Sequence, residues 1–170
     1  MINRIAENAL KRLASQFPVV GITGPRQSGK STLAKMTFPN KQYLSFDDKT
    51  LREIASSNPK DFLLAFPDGA IIDEAQKVPE IFDAVKYYVD SEKSEPGKYI
   101  LTGSSQFKLK ENMSDSLAGR VAFLKLLPFT IEELKSNKIL AKNPYEAMIK
   151  GNYPPLHDVR RNFIPEDWFE

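Results

Sequence analysis

"VVGITGPRQSGKSTLAKM", residues 19–36, runs from an apolar stretch through a loop with two glycines into a Lys-Ser pair. Within it, Gly24-Pro25-Arg26-Gln27-Ser28-Gly29-Lys30-Ser31 fits G-x-x-x-x-G-K-[ST], a phosphate-binding loop that opens a helix after a buried strand. Glycines at 24 and 29 allow backbone angles closed to other residues, so successive N–H groups can turn inward around a polyphosphate. The helix that starts near Lys30 adds unsatisfied N–H groups and the positive end of its dipole. Lys30 is placed to reach the β- and γ-phosphates, Ser31 to ligate Mg²⁺, and Thr32 to stand beside the same phosphates. The alternative is a glycine turn followed by a surface lysine. With Gly at about 7% of residues, a chance match is expected in roughly one such chain per hundred or fewer. The flanks also agree: Val19-Val20-Gly21-Ile22 reads as a strand and Thr32 to Met36 as a helix.

Outward from the loop, strands and helices alternate. Ile2, Ile5, Ala6, Ala9, Leu10, Leu13 and Phe17 recur at helical spacing before Pro18. Tyr43 to Phe46 has strand character, and residues 50–66 read as short helices broken at Asn58-Pro59. "AIIDEAQ", 70–76, is a strand ending in two acids, followed by a helix with Val78, Ile81, Phe82, Val85, Tyr88 and Val89 on one face. "KYILTGSS", 98–105, is a strand ending in hydroxyls, and a mobile-looking segment, 107–117, precedes Leu117-Ala118-Gly119-Arg120. "VAFLKLLPF", 121–129, reads as a last strand stopped by Pro128, and Thr130-Ile131-Glu132-Glu133-Leu134 as a capped helix start. The final forty residues are Pro-rich and give no clear pattern. This alternation predicts an α/β fold with a parallel sheet covered on both faces and its ligand at the carboxyl ends of the strands.

Asp73 is delivered to that rim, where a carboxylate holds Mg²⁺ opposite Ser31 through water. Glu74, directly after it, is placed to polarise a water behind the γ-phosphate, a step that hydrolysis needs and binding does not. Against this stands the reading of two solvated acids at a strand end. Thr102, Ser104 or Ser105 offers a hydroxyl between the acids and the γ-phosphate, or else simply a serine turn. Gln76 either orients water or pairs with a loop backbone. Arg120 suits charge developing on a transferring phosphoryl group, in its own subunit or a neighbour's, with a surface arginine capping a loop as the alternative. Arg26 either touches phosphate or faces solvent. His157 reads as structural, and Phe82, Tyr87 and Tyr88 as core.

The chain has 170 residues, a net charge of +2 and no cysteine. That size suits one α/β domain, and the interspersed charges give no positive support for nucleic acid without excluding a local patch. Without cysteine there is no disulfide scaffold or thiolate metal site, which is compatible with a reducing cytosol. There is no apolar signal segment and no run approaching about 18 apolar residues. A cytoplasmic protein with no membrane association is the expectation.

"GITGPRQSGKSTL", "AIIDEAQKVPEIFDAVK", "YILTGSSQF", "SLAGRV", "LLPFTIEEL" and "GNYPPL", in that order, resemble the N-terminal module of a large prokaryotic family of predicted AAA-superfamily ATPases, across residues 1–156. The resemblance implies a P-loop NTPase three-layer αβα sandwich with a mostly parallel five-stranded sheet of the additional-strand type. It makes 24–31 a Walker A loop, Asp73-Glu74 the end of a Walker B strand, and the strand ending near Thr102 sensor-like. Family members continue into a C-terminal domain, so residues 157–170 would start the linker to it and the chain reads as an excised or truncated module. The function expected is Mg²⁺-dependent ATP binding and hydrolysis that switches the conformation or partner of a larger protein, with a homo-oligomer and an unknown protein partner open. Alternatives are a non-hydrolysing ATP-binding switch, a nucleic-acid-dependent motor and a small-molecule phosphotransferase. Adenine is expected, because no Asn/Thr-Lys-x-Asp guanine element is evident.

Overall fold

Val19–Thr23, Ala70–Asp73 and Tyr99–Thr102 are buried at every position, as strands covered on both faces must be. The computed structural model describes residues 2–91, 95–104, 113 and 116–158. Its elements are α1 (Ala6–Ala14), β1 (Val19–Thr23), α2 (Lys30–Thr37), β2 (Gln42–Ser45), α3 (Lys49–Ser57), α4 (Pro59–Leu64), β3 (Ala70–Asp73), α5 (Glu80–Ser91), β4 (Tyr99–Thr102), β5 (Val121–Lys125), α6 (Ile131–Ser136) and α7 (Pro144–Lys150). Short 3₁₀ turns occupy Ala75–Lys77 and Pro154–His157.

The five strands pair in parallel in the order β2-β3-β4-β1-β5. Alternate residues of each strand face opposite ways. Val19, Ala70, Ile72, Tyr99 and Leu101 pack with Phe62, Ile81, Phe82 and Val85 on the α4 and α5 side. Val20, Ile22, Ile71 and Ile100 pack with Leu10, Leu33 and Ala34 on the α1 and α2 side. The result is the three-layer sandwich expected from the alternation. The chain leaves β1 for the far edge at β2 and returns through β3 and β4, and β5 then lies on β1's other side. That reversal at β1 opens a crevice at its carboxyl end.

Local chemistry sets the helix starts. Asp48 accepts the Thr50 and Leu51 N–H groups at the head of α3. Thr130 and Glu133 form the reciprocal capping box at the head of α6, the arrangement that 130–134 predicts. Three boundaries differ from the expectation. α1 is shorter at both ends than the run Ile2 to Phe17, since Ser15 caps it ahead of the conformationally restricted approach to Pro18. β5 ends at Lys125, well before Pro128, with the Leu126 N–H on the Thr23 carbonyl as the last bond of its ladder with β1. Tyr87 is about half exposed, not core; its neighbour Phe82 is fully buried. Most of 107–117 lies outside the described residues, but Met113 and Leu117 belong to the core. The expected linker beyond Asp158 also lies outside them. Among the described residues no helix is long and apolar enough to cross a membrane.

Candidate nucleotide site

The loop between β1 and α2 has the backbone its glycines were expected to supply. Gly24 has φ +152°, and a Cβ there would stand 2.0 Å from the Leu126 carbonyl oxygen, so only glycine lets the loop leave the sheet at this point. Gly29 is left-handed, with φ +92°, and is the residue from which α2 departs. Gln27 is also left-handed, at φ +60°, a conformation that costs a non-glycine residue energy and clusters at functional sites.

Lys30 is almost wholly buried, and its Nζ donates to the Gly24 and Pro25 carbonyls at 3.0 and 2.8 Å. The ammonium is thus held inside the bend of the loop. Burial pushes it below its ordinary pKa, the nearby Glu74 and Asp73 pull it back up, and Arg26 adds to the lowering. Ser31 Oγ donates to Asp73 Oδ2 at 2.8 Å.

Asp73 collects three hydroxyls. Tyr43 OH donates to its Oδ2 at 2.7 Å, and Thr102 Oγ1 donates to its Oδ1. The register accounts for this: β4 lies between β1 and β3, with Thr102 opposite Ile22, so the Thr102 side chain stands between the loop and Asp73. Burial and the Asp73 carboxylate push the Tyr43 phenol up to about 12, so it stays protonated as a donor at neutral pH. A hydroxyl and a carboxylate oxygen 2.8 Å apart are the hard oxygen donors that Mg²⁺ takes. Ser31 and Asp73 therefore fit that ion.

Glu74 is left-handed, at φ 53°, which turns its side chain off the line of β3. Its Oε2 accepts from Gln76 Nε2 and from Ser104 Oγ. Gln76 thus pairs with the acid through its Nε2. The cleft these groups bound holds about 460 Å³ and is also lined by Arg26, Asp47, Lys77 and Pro154. Lys77 bridges to Asp47 at its mouth. Among the described residues, buried polar atoms with no hydrogen-bond partner include Thr23 Oγ1 at the end of β1, Ser28 Oγ within the loop and Gln76 Oε1 just after β3, each a group that folding leaves unsatisfied without a further partner.

The structure brings Gly24 to Thr32, Asp73, Glu74, Thr102 and Ser104 to one rim; Ser105 is outside the described residues. Arg120 is not with them. It precedes β5, and Val19, the first residue of β1, pairs with Val121, so Arg120 sits at the amino end of the sheet, about 15 Å from the loop along a five-residue strand. There it forks onto Asp90 and also donates to the Ala118 carbonyl. It is therefore remote from its own subunit's loop. His157 is buried beside the loop, on the wall of a neighbouring cavity. Its Nε2 faces the Gly151 carbonyl at 2.9 Å, its ring packs edge-on against Phe129, and burial lowers its pKa.

Tyr43, Asp47, Lys77 and Arg4 were not singled out from the sequence. The stretch around Tyr43 has strand character alone in the sequence, and only the pairing of β2 with β3 shows that its hydroxyl reaches Asp73.

The chain belongs to a family of AAA domains, whose sequence profile matches residues 16–135. An uncharacterised protein of Mycobacterium tuberculosis and its counterpart in Mycobacterium bovis are each 31% identical over 168 residues. The match covers 97% of this chain and 36% of each relative, so the chain spans about a third of their length. Among solved structures, a Walker-type ATPase of Pyrococcus abyssi aligns with TM-score 0.61 at 19% identity, over 92% of this chain and 66% of that one. A signal transduction ATPase with a tetratricopeptide repeat sensor from Pyrococcus horikoshii gives TM-score 0.61 at 17% identity, over 99% and 32%. Domain III of the Thermotoga maritima replication initiation protein DnaA gives 0.54 at 18%, over 92% and 82%. These likenesses establish the P-loop ATPase fold, and family membership makes the chain a nucleotide-binding module of the AAA type.

Proposed function

We propose that this module binds Mg-ATP at the carboxyl ends of β1, β3 and β4 and hydrolyses it. The observation that carries the reading is the joining of the Lys30-Ser31 loop to Asp73, with Glu74 beside it at the same cleft. The loop N–H groups and Lys30 bind the β- and γ-phosphates; Ser31 and Asp73 would hold Mg²⁺, which would supply charge neutralisation for those phosphates. Glu74 takes the proton of the attacking water as general base. Both of its present hydrogen bonds fall on Oε2, and Ser104 links it to the strand end where Thr102 touches Asp73. That chain of contacts supports a role for the β4 end in reporting the γ-phosphate.

The base has a place next door. A second cavity of about 490 Å³ shares Gly29, Thr32 and Pro154 with the cleft and is walled by Leu33, Met36, Phe129 and Ile139. Its mainly apolar lining suits the faces of a flat purine, and Arg4, His157 and Asp158 on its wall offer polar partners for the purine's edge. The resulting cycle would switch the conformation or partner of a larger protein, in keeping with relatives nearly three times as long. With Arg120 distant from its own loop, any phosphoryl contact it makes is to a neighbouring subunit.

The test is phosphate release from Mg-ATP across protein concentrations, with Glu74→Gln as control. Release that falls on the order of 10²- to 10⁴-fold in the control, with nucleotide still bound, supports the general base. Equal release in the two proteins overturns it. Nucleotide bound without turnover in the parent leaves the binding switch. Specific activity that rises with concentration points to a shared site.

A further inference from the structure

We propose that Arg4, outside the phosphate cleft but on the wall of the adjoining cavity, is a positioning residue that fixes the phosphate loop in its anion-binding form; the inference rests on reading that loop as a polyphosphate site. The Arg4 side chain is only 8% exposed. Its NH1 donates to the Ser28 carbonyl at 2.8 Å, its NH2 to the Leu127 carbonyl at 2.7 Å, and its Nε to Glu133 Oε1 at 3.0 Å. The guanidinium also lies 4.7 Å from the centre of the Phe129 ring.

The first of these bonds reaches the loop. A trans peptide is planar, so its carbonyl and N–H point opposite ways. With the Ser28 carbonyl drawn outward to Arg4, the Gly29 N–H is turned inward, toward the concave side where phosphates bind. Gly29 is left-handed and has no Cβ to resist rotation of that peptide. Arg4 therefore supplies the torsional hold that the glycine lacks.

The hold is itself anchored. The Glu133 carboxylate accepts the Ile5 and Thr130 N–H groups at 2.8 Å each as well as Arg4. Burial alone would raise its pKa, but those donors hold it below the ordinary glutamate range. Glu133 is thus ionised at neutral pH and pins the arginine. A lysine would not replace the fork, because an ammonium is a point donor and three acceptors here lie in different directions.

The competing reading is that Arg4 merely staples the first residues to α6. A second staple makes the two separable: Asn3 N–H donates to Asn137 Oδ1 and Asn137 Nδ2 to the Asn3 carbonyl, and neither contact touches the loop. The experiment compares the parent chain with Arg4→Met, Arg4→Lys and Asn137→Ala, each checked by urea unfolding. A fluorescent ATP analogue is titrated with Mg²⁺, and inorganic tripolyphosphate competes with it. The expected result is about 10- to 100-fold weaker tripolyphosphate binding by Arg4→Met, the range for a lost hydrogen bond to a charged group. Arg4→Lys should recover only part of it, and Asn137→Ala should bind within about twofold of the parent.

Folded Arg4→Met that competes as the parent does overturns the proposal, as does an equal loss in Asn137→Ala. Should Arg4→Met fail to fold, Arg4→Lys decides, and parental affinity in that variant overturns it. A parent that binds neither probe overturns the site reading and this one with it.

Discussion

The two ends of one parallel sheet treat charge in opposite ways. At the carboxyl ends of β1, β3 and β4, Lys30 and Asp73 are buried and held by neutral groups: carbonyls for the lysine, hydroxyls for the aspartate. Buried polar atoms without partners lie beside them. At the amino end of β5, Arg120 and Asp90 satisfy one another in solvent, and the arginine holds the Asp90 carboxyl below its usual range. A charge already matched by its opposite has little left for a ligand. One held by dipoles can exchange them for phosphate or metal.

The sharpest way to break that contrast is Lys30→Ala. The loop would lose the cation that its own carbonyls now hold, and affinity for ATP should fall by about 100-fold in a binding titration, near the upper range for a charge-assisted bond. Unchanged affinity would mean that the rim is no different from the far end. A middle-sized effect is expected from Tyr43→Phe, which removes one of the two donors on Asp73 Oδ2. The half-saturating Mg²⁺ concentration for ATP turnover should rise by about 10-fold, the low end for a lost hydrogen bond to a charged group. Maximal turnover should hold. The smallest effect belongs to Arg120→Gln: ATP affinity and turnover by dilute protein should match the parent. A fall in dilute-protein turnover would bring Arg120 back to its own subunit's chemistry, against its position in the fold.

What was legible in the sequence was what neighbours along the chain decide. The loop at 24–31 announces itself because its glycines, lysine and serine act within eight residues. Asp73-Glu74 follows from a short apolar strand ending in acids. Thr130 and Glu133 form their box across three residues. Contacts between distant residues were illegible. Nothing near Tyr43 says that β2 will pair with β3 rather than β1, and nothing near Arg4 points to residues 28, 127 and 133. The residues around Arg120 leave it open between a phosphoryl contact in its own or a neighbour's subunit and a surface arginine; its place just before β5 was legible, and what was not was the Asp90 partner thirty residues away in the chain. The Pro-rich end hid α7, although Asn143 caps it and Pro144 takes its first turn, a start signal that stands alone without an apolar face packed against the core.

One contact near that helix bears on how the chain tolerates change. Phe129 N–H donates to the Asn152 carbonyl, and Asn152 Nδ2 donates back to the Phe129 carbonyl. This two-way clasp closes α6 and α7 into an excursion whose two ends meet beside the apolar cavity. Lengthening a closed excursion adds entropy cost only logarithmically. Sequence inserted after α6 is therefore absorbed within the excursion that the clasp closes, which makes residues 141–143, past the Ile139 wall of the cavity, the natural graft point for a reporter or an extra recognition element.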